Sequence, residues 1–192
     1  VRLEARAVIE ECRLDGSALT RSRASSVRFD SVHLVGVALE ESELADLDWQ
    51  DVLCERCNFA MIRWRGAKLT RALLRGCRMT GGKLVEGELD NVRFVDCHLD
   101  YASFADTRFR RVIFESCQLR EASFHGADLT GTVFAECDLE GADFAGAKLQ
   151  SADVSSSNIS GITVGPGEVR GLSVSRQQAA DLAKLFGLVV RD

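Results

Sequence analysis

The sequence lacks most of the usual signposts. It has one proline (Pro166) and three histidines in 192 residues. No window approaches 18 uninterrupted apolar residues, which excludes a spanning helix. The chain starts at Val1, as expected of a numbered fragment or a processed start. No basic segment followed by an apolar one opens it, so no secretory signal is visible and a cytoplasmic setting is expected. Base is not in excess: 24 Lys+Arg face 29 Asp+Glu for a net charge of −5, which argues against a general nucleic-acid binder. Phosphate loops of the G-x-x-x-x-G-K-[ST] or G-x-G-x-x-G kind do not occur, and Gly81, Gly82 and Gly87 are spaced wrongly for either. Cys54-x-x-Cys57 has no second C-x-x-C to complete a zinc site. What remains is a chain 46% hydrophobic and 28% charged, long enough for one domain with a real core.

What is present is a repeat of five. The 31 residues whose numbers end in 4 or 9, from Leu14 to Val164, are all apolar. Nine of the ten phenylalanines lie there; only Phe186 does not. The 31 residues two places earlier, from Cys12 to Ile162, are Ala, Cys, Val, Ser, Thr, Gly, Leu or Ile, and none is charged. Every charge between Arg13 and Asp153 falls on the other three positions. Ten glycines between Gly16 and Gly161 sit at numbers ending in 1 or 6, where a tight turn needs positive φ. A period of five fits neither a helix at 3.6 nor a strand at 2, so the backbone must turn after every repeat. The large residue and the small one before it point inward; the other three face water.

Stretches such as ADLTG (Ala127–Gly131) and ADFAG (Ala142–Gly146) match the A(D/N)LXX consensus. The pattern resembles the pentapeptide-repeat family over about residues 7–166. The resemblance implies an all-β solenoid, a right-handed quadrilateral β-helix with four repeats per coil. A 20-residue step should then climb one face. Cys57, Cys77, Cys97, Cys117 and Cys137 obey that step and form one inward column of small polarizable side chains. Arg28, Asp48, Lys68, Glu88, Arg108, Asp128 and Lys148 obey it too, with alternating sign. About eight coils at roughly 4.8 Å give a rod of roughly 38 Å, and the unslipped register leaves no room for a loop insertion. On this grid His33, His98 and His125 lie on three different faces, so no shared general base or metal site can be built from them. No enzyme activity, cofactor or metal is expected, and the seven cysteines are expected to be free thiols.

Three segments follow: an N-terminal cap at 1–6, where Arg2 and Glu4 break the pattern; the β-helix at 7–166; and a C-terminal capping or dimerisation segment at 167–192. In the last, Ser175 reads as an N-cap with Gln178 completing a capping box, and a helix is expected over Arg176–Phe186 with Gly187 as its stop. Ala179, Leu182, Ala183 and Phe186 share one helix face, Leu185 widens it, and Leu188–Val190 is a β-prone tail. Leu172–Val190 (LSVSRQQAADLAKLFGLVV) resembles the C-terminal signature of the Qnr and MfpA group, in which that segment makes a head-to-head dimer. The resemblance implies a homodimer interface at Leu172, Val174, Ala179, Leu182, Leu185, Phe186, Leu188, Val189 and Val190.

That group binds DNA gyrase or topoisomerase IV as DNA-shaped dimers and protects the enzyme from quinolones or other poisons. The same partner is what the resemblance implies here, with no direct nucleic-acid or membrane binding. Surface charge is banded: residues 29–60 carry net −7, 61–83 net +7, 84–107 net −5, 108–120 net +3 and 121–160 net −6. The candidate contacts are Asp100, Glu121, Asp138 and Glu140, which share one face, with Asp128, Glu136 and Asp143 nearby. Duplex DNA carries about one charge per 1.7 Å, far more than this rod, and the basic band would repel a DNA groove; mimicry is therefore expected only near the dimer end. The alternative is a rigid β-helical interaction scaffold with a partner other than a topoisomerase.

Overall fold

The structure is a computed structural model and describes residues 3–191. Val1 and Arg2 of the expected N-terminal cap lie outside the described residues. From Leu3 onward the cap touches the first coil: Leu3 is buried, and its N–H donates to Ser22 Oγ at 3.3 Å.

The backbone climbs 20 residues per coil, always in parallel register. Arg28–Val35 pairs with Asp48–Glu55, that with Lys68–Arg75, and that with Glu88–Val95. The stepping runs from the pair Val8 and Arg28 to the pair Asp153 and Ser173. Four vertical columns of partners result. The first face carries Arg28, Asp48, Lys68, Glu88 and Arg108, and the second His33, Leu53, Leu73, Arg93 and Ile113. The third carries Ala18, Ala38, Asn58, Arg78, His98, Gln118, Asp138 and Asn158, and the fourth Arg23, Glu43, Arg63, Lys83, Ser103 and Ser123. Four repeats per coil is the geometry that the cysteine and charge columns require.

Strand character fades along the rod. Beyond Ile113–Glu115 only Val133–Ala135 is a regular strand, and the faces are joined by single bridges and turns. Between the first and second faces the lower coils hold Val32, Val52, Ala72 or Val92 at the small inward position, and the chain stays extended through the corner as one eight-residue strand. Higher up the same position holds Thr132 and Ala152, and there the amide folds back onto the carbonyl three residues earlier (Leu129 at 2.9 Å, Leu149 at 3.0 Å).

From Arg6 to Ser151 the corner residue has positive φ, as the turn demands. Glycine is not needed for this: Glu41, Asp51 and Tyr101 hold φ of 57°, 54° and 59°. Glycine is required where space runs out. A Cβ on Gly87 would lie 2.7 Å from the Ala67 carbonyl oxygen.

The inward columns form the core. Phe94, Phe114 and Phe134 stack face to face at 4.7 and 5.0 Å, and Phe104, Phe124 and Phe144 at 5.3 and 5.1 Å. The two ladders meet edge to face. Lower down Phe29, Trp49, Phe59 and Trp64 fill the same space.

The cysteine column replaces missing turn hydrogen bonds. Cys77 Sγ contacts the Cys54 and Arg75 carbonyls at 3.6 and 3.5 Å, and Cys97 and Cys117 repeat the pattern one coil apart. Ser157 ends the column in the same role, donating to the Phe134 carbonyl at 2.9 Å and accepting from the Cys137 amide at 2.9 Å. All seven cysteines are free, and burial pushes the Cys54 thiol well above the ordinary range. Cys77→Ser should therefore fall within about 1 kcal/mol of the parent, because a hydroxyl already does this work at position 157. Cys77→Val fills the space but leaves a carbonyl unserved, and should cost about 1–3 kcal/mol in urea unfolding. Equal stability of the two variants would contradict the bridging role.

Candidate protein-interaction surface

The rod ends at Gly165–Gly171, a run of turns around Pro166. The helix beyond, α1 (Arg176–Leu185), starts with the expected capping box: Gln178 N donates to Ser175 Oγ at 3.2 Å and Ser175 N to Gln178 Oε1 at 2.7 Å. Gln178 does more than cap. It is buried, and its Nε2 donates to the carbonyls of Val154 and Ser157 at 2.8 and 2.7 Å. Those carbonyls sit in the last turns of the solenoid, so the amide closes its end. This shifts the buried face of α1 to Gln178 and Leu182, with Leu172, Val174 and Phe186 packed beside them, and leaves Ala179 exposed.

The β-prone tail Leu188–Val190 is not a strand in this structure. Its apolar side chains face water: Leu185 is 52% exposed, Leu188 63%, Val189 83% and Val190 43%. The nine candidate interface residues thus divide. Leu172, Val174, Leu182 and Phe186 cap their own chain, Leu185, Leu188, Val189 and Val190 form an uncovered apolar end, and Ala179 is an exposed small side chain on α1.

The seven candidate carboxylates also divide. Asp100, Glu121, Asp138 and Glu140 lie on or beside the third face, and Glu136 is at its near corner, since Asp138 follows Gln118 in that column. Asp128 belongs to the first face, where it is bound by Lys148 at 3.4 Å and by Thr130 Oγ1 at 2.7 Å. Asp143 belongs to the fourth, accepting the Ala145 amide at 2.9 Å with His125 3.9 Å away.

On the third face Arg120 pairs with Asp138 at 2.5 Å, and its amide donates to Asp100 at 3.0 Å. Partial burial opposes the Asp138 charge. Arg120, the Glu140 amide and Asn158 outweigh it and hold the carboxyl below the usual range. Glu121, Glu136 and Glu140 have no ion-pair partner within 4.0 Å among the described residues. The unneutralised candidates are therefore Asp100 and a strip of glutamates above it, narrower than the sequence list.

The basic band is partly neutralised by its neighbours. Arg63 pairs with Glu43, Arg65 with Glu86 and Arg71 with Asp51, while Lys68, Arg75, Arg78 and Lys83 stay free among the described residues. His33 bonds Glu55 at 2.8 Å and His98 bonds Gln118 at 2.9 Å, far from each other. Among the described residues no group of three His, Cys, Asp or Glu is placed to hold a metal ion, and no helix is long and apolar enough to cross a membrane.

Comparison with known proteins agrees with this geometry. The family described as pentapeptide repeat region matches residues 67–144. No curated protein sequence matches the chain. Among solved structures, HetL, a pentapeptide repeat protein involved in heterocyst differentiation regulation from the cyanobacterium Nostoc sp. strain PCC 7120, is 18% identical. The match covers 90% of this chain and 86% of that one, with a TM-score of 0.50. Full-length QnrB1, a plasmid-mediated fluoroquinolone resistance protein, is 17% identical over 95% of this chain and 100% of its own, with a TM-score of 0.46. Identities this low speak to the fold alone. With the family match over residues 67–144, the 20-residue parallel register and the paired inward positions of the repeats, this chain resembles the pentapeptide-repeat proteins and folds as a β-helix of pentapeptide repeats.

Proposed function

We propose that this chain is a non-enzymatic rod that binds DNA gyrase or topoisomerase IV in place of duplex DNA and shields the enzyme from quinolones or other poisons. The observation that carries the reading is the glutamate strip of Glu121, Glu136 and Glu140, beside Asp100 and Asp138, close to an uncovered apolar C-terminal end. Rigidly held carboxylates offer a basic DNA groove the same charge partner as phosphates, and they need no chemistry to act. The resemblance of Leu172–Val190 to the Qnr and MfpA signature supplies the choice of enzyme. The free cations Arg75, Arg78 and Lys83 confine the mimicry to the end of the rod.

In this reading two copies meet through Leu185, Leu188, Val189 and Val190, bringing two strips together across a two-fold axis. Light scattering should give about 42 kDa, twice the 21.0 kDa chain. Leu188→Asp with Val190→Asp should return it to one chain, because a desolvated carboxylate at an apolar contact is strongly unfavourable. A single-chain mass for the parent protein at micromolar concentration contradicts the dimer. Binding itself is read by immobilising the protein and passing purified gyrase or topoisomerase IV over it. Linear duplex DNA should compete, and binding that DNA leaves unchanged would point to a scaffold with another mode of contact.

A further inference from the structure

We propose that the third face pairs with the same face of a second copy, side by side and antiparallel. This proposal is independent of the topoisomerase reading and of the C-terminal dimer. It starts from Arg78, which finds no ion-pair partner within the chain among the described residues, and from the Asp100, Arg120 and Asp138 cluster on the same face, in which Arg120 and Asp138 already pair. On the first face the charges are largely satisfied internally: Arg108 binds Glu88, Lys148 binds Asp128 and Arg28 binds Asp30. On the third face Arg78 is exposed and free, while the acids of that face lie higher up. Arg78 and Asp138 stand three steps apart in one column. At about 4.8 Å per step that is roughly 14 Å, too far to pair within one chain.

A two-fold axis perpendicular to the rod, midway between the His98 and Gln118 levels, changes this. It sets residues on each outward column against the same column of the copy, in reversed order. Arg78 then faces the second copy's Asp138, and Asp100 faces its Arg120. Tyr101 faces its Glu121, with a phenol to donate and a carboxylate to accept. Each contact occurs twice. The shape agrees as well. Met61 and Tyr101, 57% and 66% exposed, are the large apolar side chains that project beside this face. Met61 meets the second copy's Gly161, and Gly81 meets its Gly141, so the projecting side chain is opposite a glycine.

The two registers half a step away do not match. Moving the axis down half a step sets Asp100 against Asp100. Moving it up half a step sets Arg120 against Arg120 and Asp100 against Glu140. Like charges placed opposite one another resist association, so the alternatives are disfavoured. The contact is a strip roughly 30 Å long and one face wide, smaller than the ~800 Å² per partner of a standard interface. Its strength is therefore modest and depends on charge, and it falls steeply with salt. Paired copies cover Glu121 and Glu140, so the association competes with any partner that uses the glutamate strip.

Sedimentation of the full chain over a concentration series, in about 50 mM and about 500 mM salt, tests this. A reversible doubling of mass is expected at low salt and its loss at high salt. Arg78→Glu alone should weaken the association about tenfold or more, as should Asp138→Arg alone. The double variant, with each charge reversed, should recover it. Tyr101→Ala, a surface change that leaves the charges alone, should weaken it without altering thermal stability. It covers the case in which Asp138→Arg, facing Arg120 in its own chain, fails to fold. Leu188→Asp should leave the salt-sensitive step intact. Absence of that step, failure of a folded double variant to recover it, or its loss in Leu188→Asp would each overturn the proposal.

Discussion

Replacing Phe114 with alanine should lower the unfolding free energy by about 3–5 kcal/mol, the range for emptying an aromatic site in a packed core. Phe114 is fully buried and sits mid-ladder, stacked on Phe94 at 4.7 Å and Phe134 at 5.0 Å. Phe104 and Phe124 meet its flanks at 6.0 and 6.1 Å. The gap cannot close readily, because the backbone around it is fixed by hydrogen bonds to the coils above and below. The break also has consequences beyond its own volume. Each coil touches only its neighbours, so a weak coil uncouples the two halves of a solenoid. Urea unfolding should show an earlier midpoint and a shallower slope, as cooperativity between the halves is lost. A loss below about 1 kcal/mol with an unchanged slope would contradict the ladder as the main tie along the rod.

The second large effect is expected at Gln178. Gln178→Leu keeps the bulk and the helix propensity but removes an amide that serves Val154 and Ser157 and closes the capping box with Ser175. The buried Ser157 carbonyl and the Ser175 amide lose their partner, and the Val154 carbonyl keeps only the Ser157 amide at 2.9 Å. At about 1–3 kcal/mol for each unsatisfied group, α1 should detach before the solenoid melts. Hydrogen exchange is the direct measurement. Amides of α1 should lose protection by about two orders of magnitude or more, while those of Lys68–Arg75 keep theirs. Protection in α1 equal to that of the parent would mean that Leu182 and Phe186 hold the end without the glutamine.

Much of this architecture was legible because the register never slips. Two positions in every five exclude charge, and a chain with such a pattern has one way to bury them. The cysteine column gave the coil length directly, since Cys57 to Cys137 climb without a gap. What was hidden depends on neighbours one coil away, which a linear sequence does not juxtapose. Asp128 reads as one acid of a band, yet Lys148, its neighbour in the stacked column, neutralises it. The helix face was read from apolar spacing, which selects Ala179. The end of a solenoid presents carbonyls, and these select Gln178 instead. The tail Leu188–Val190 has strand-forming residues, but a strand needs a pairing partner, and it has none among the described residues.

The central claim is that unneutralised carboxylates at the end of this rod occupy the DNA groove of a type II topoisomerase. Supercoiling by purified gyrase, with and without a quinolone, tests it most directly. Micromolar protein should inhibit supercoiling or rescue it from the drug. Glu121→Lys with Glu140→Lys, which disturbs no ion pair of the fold, should reduce the effect about tenfold or more. A folded parent protein with no effect on either gyrase or topoisomerase IV, or a double lysine variant that acts as strongly as the parent, would contradict it.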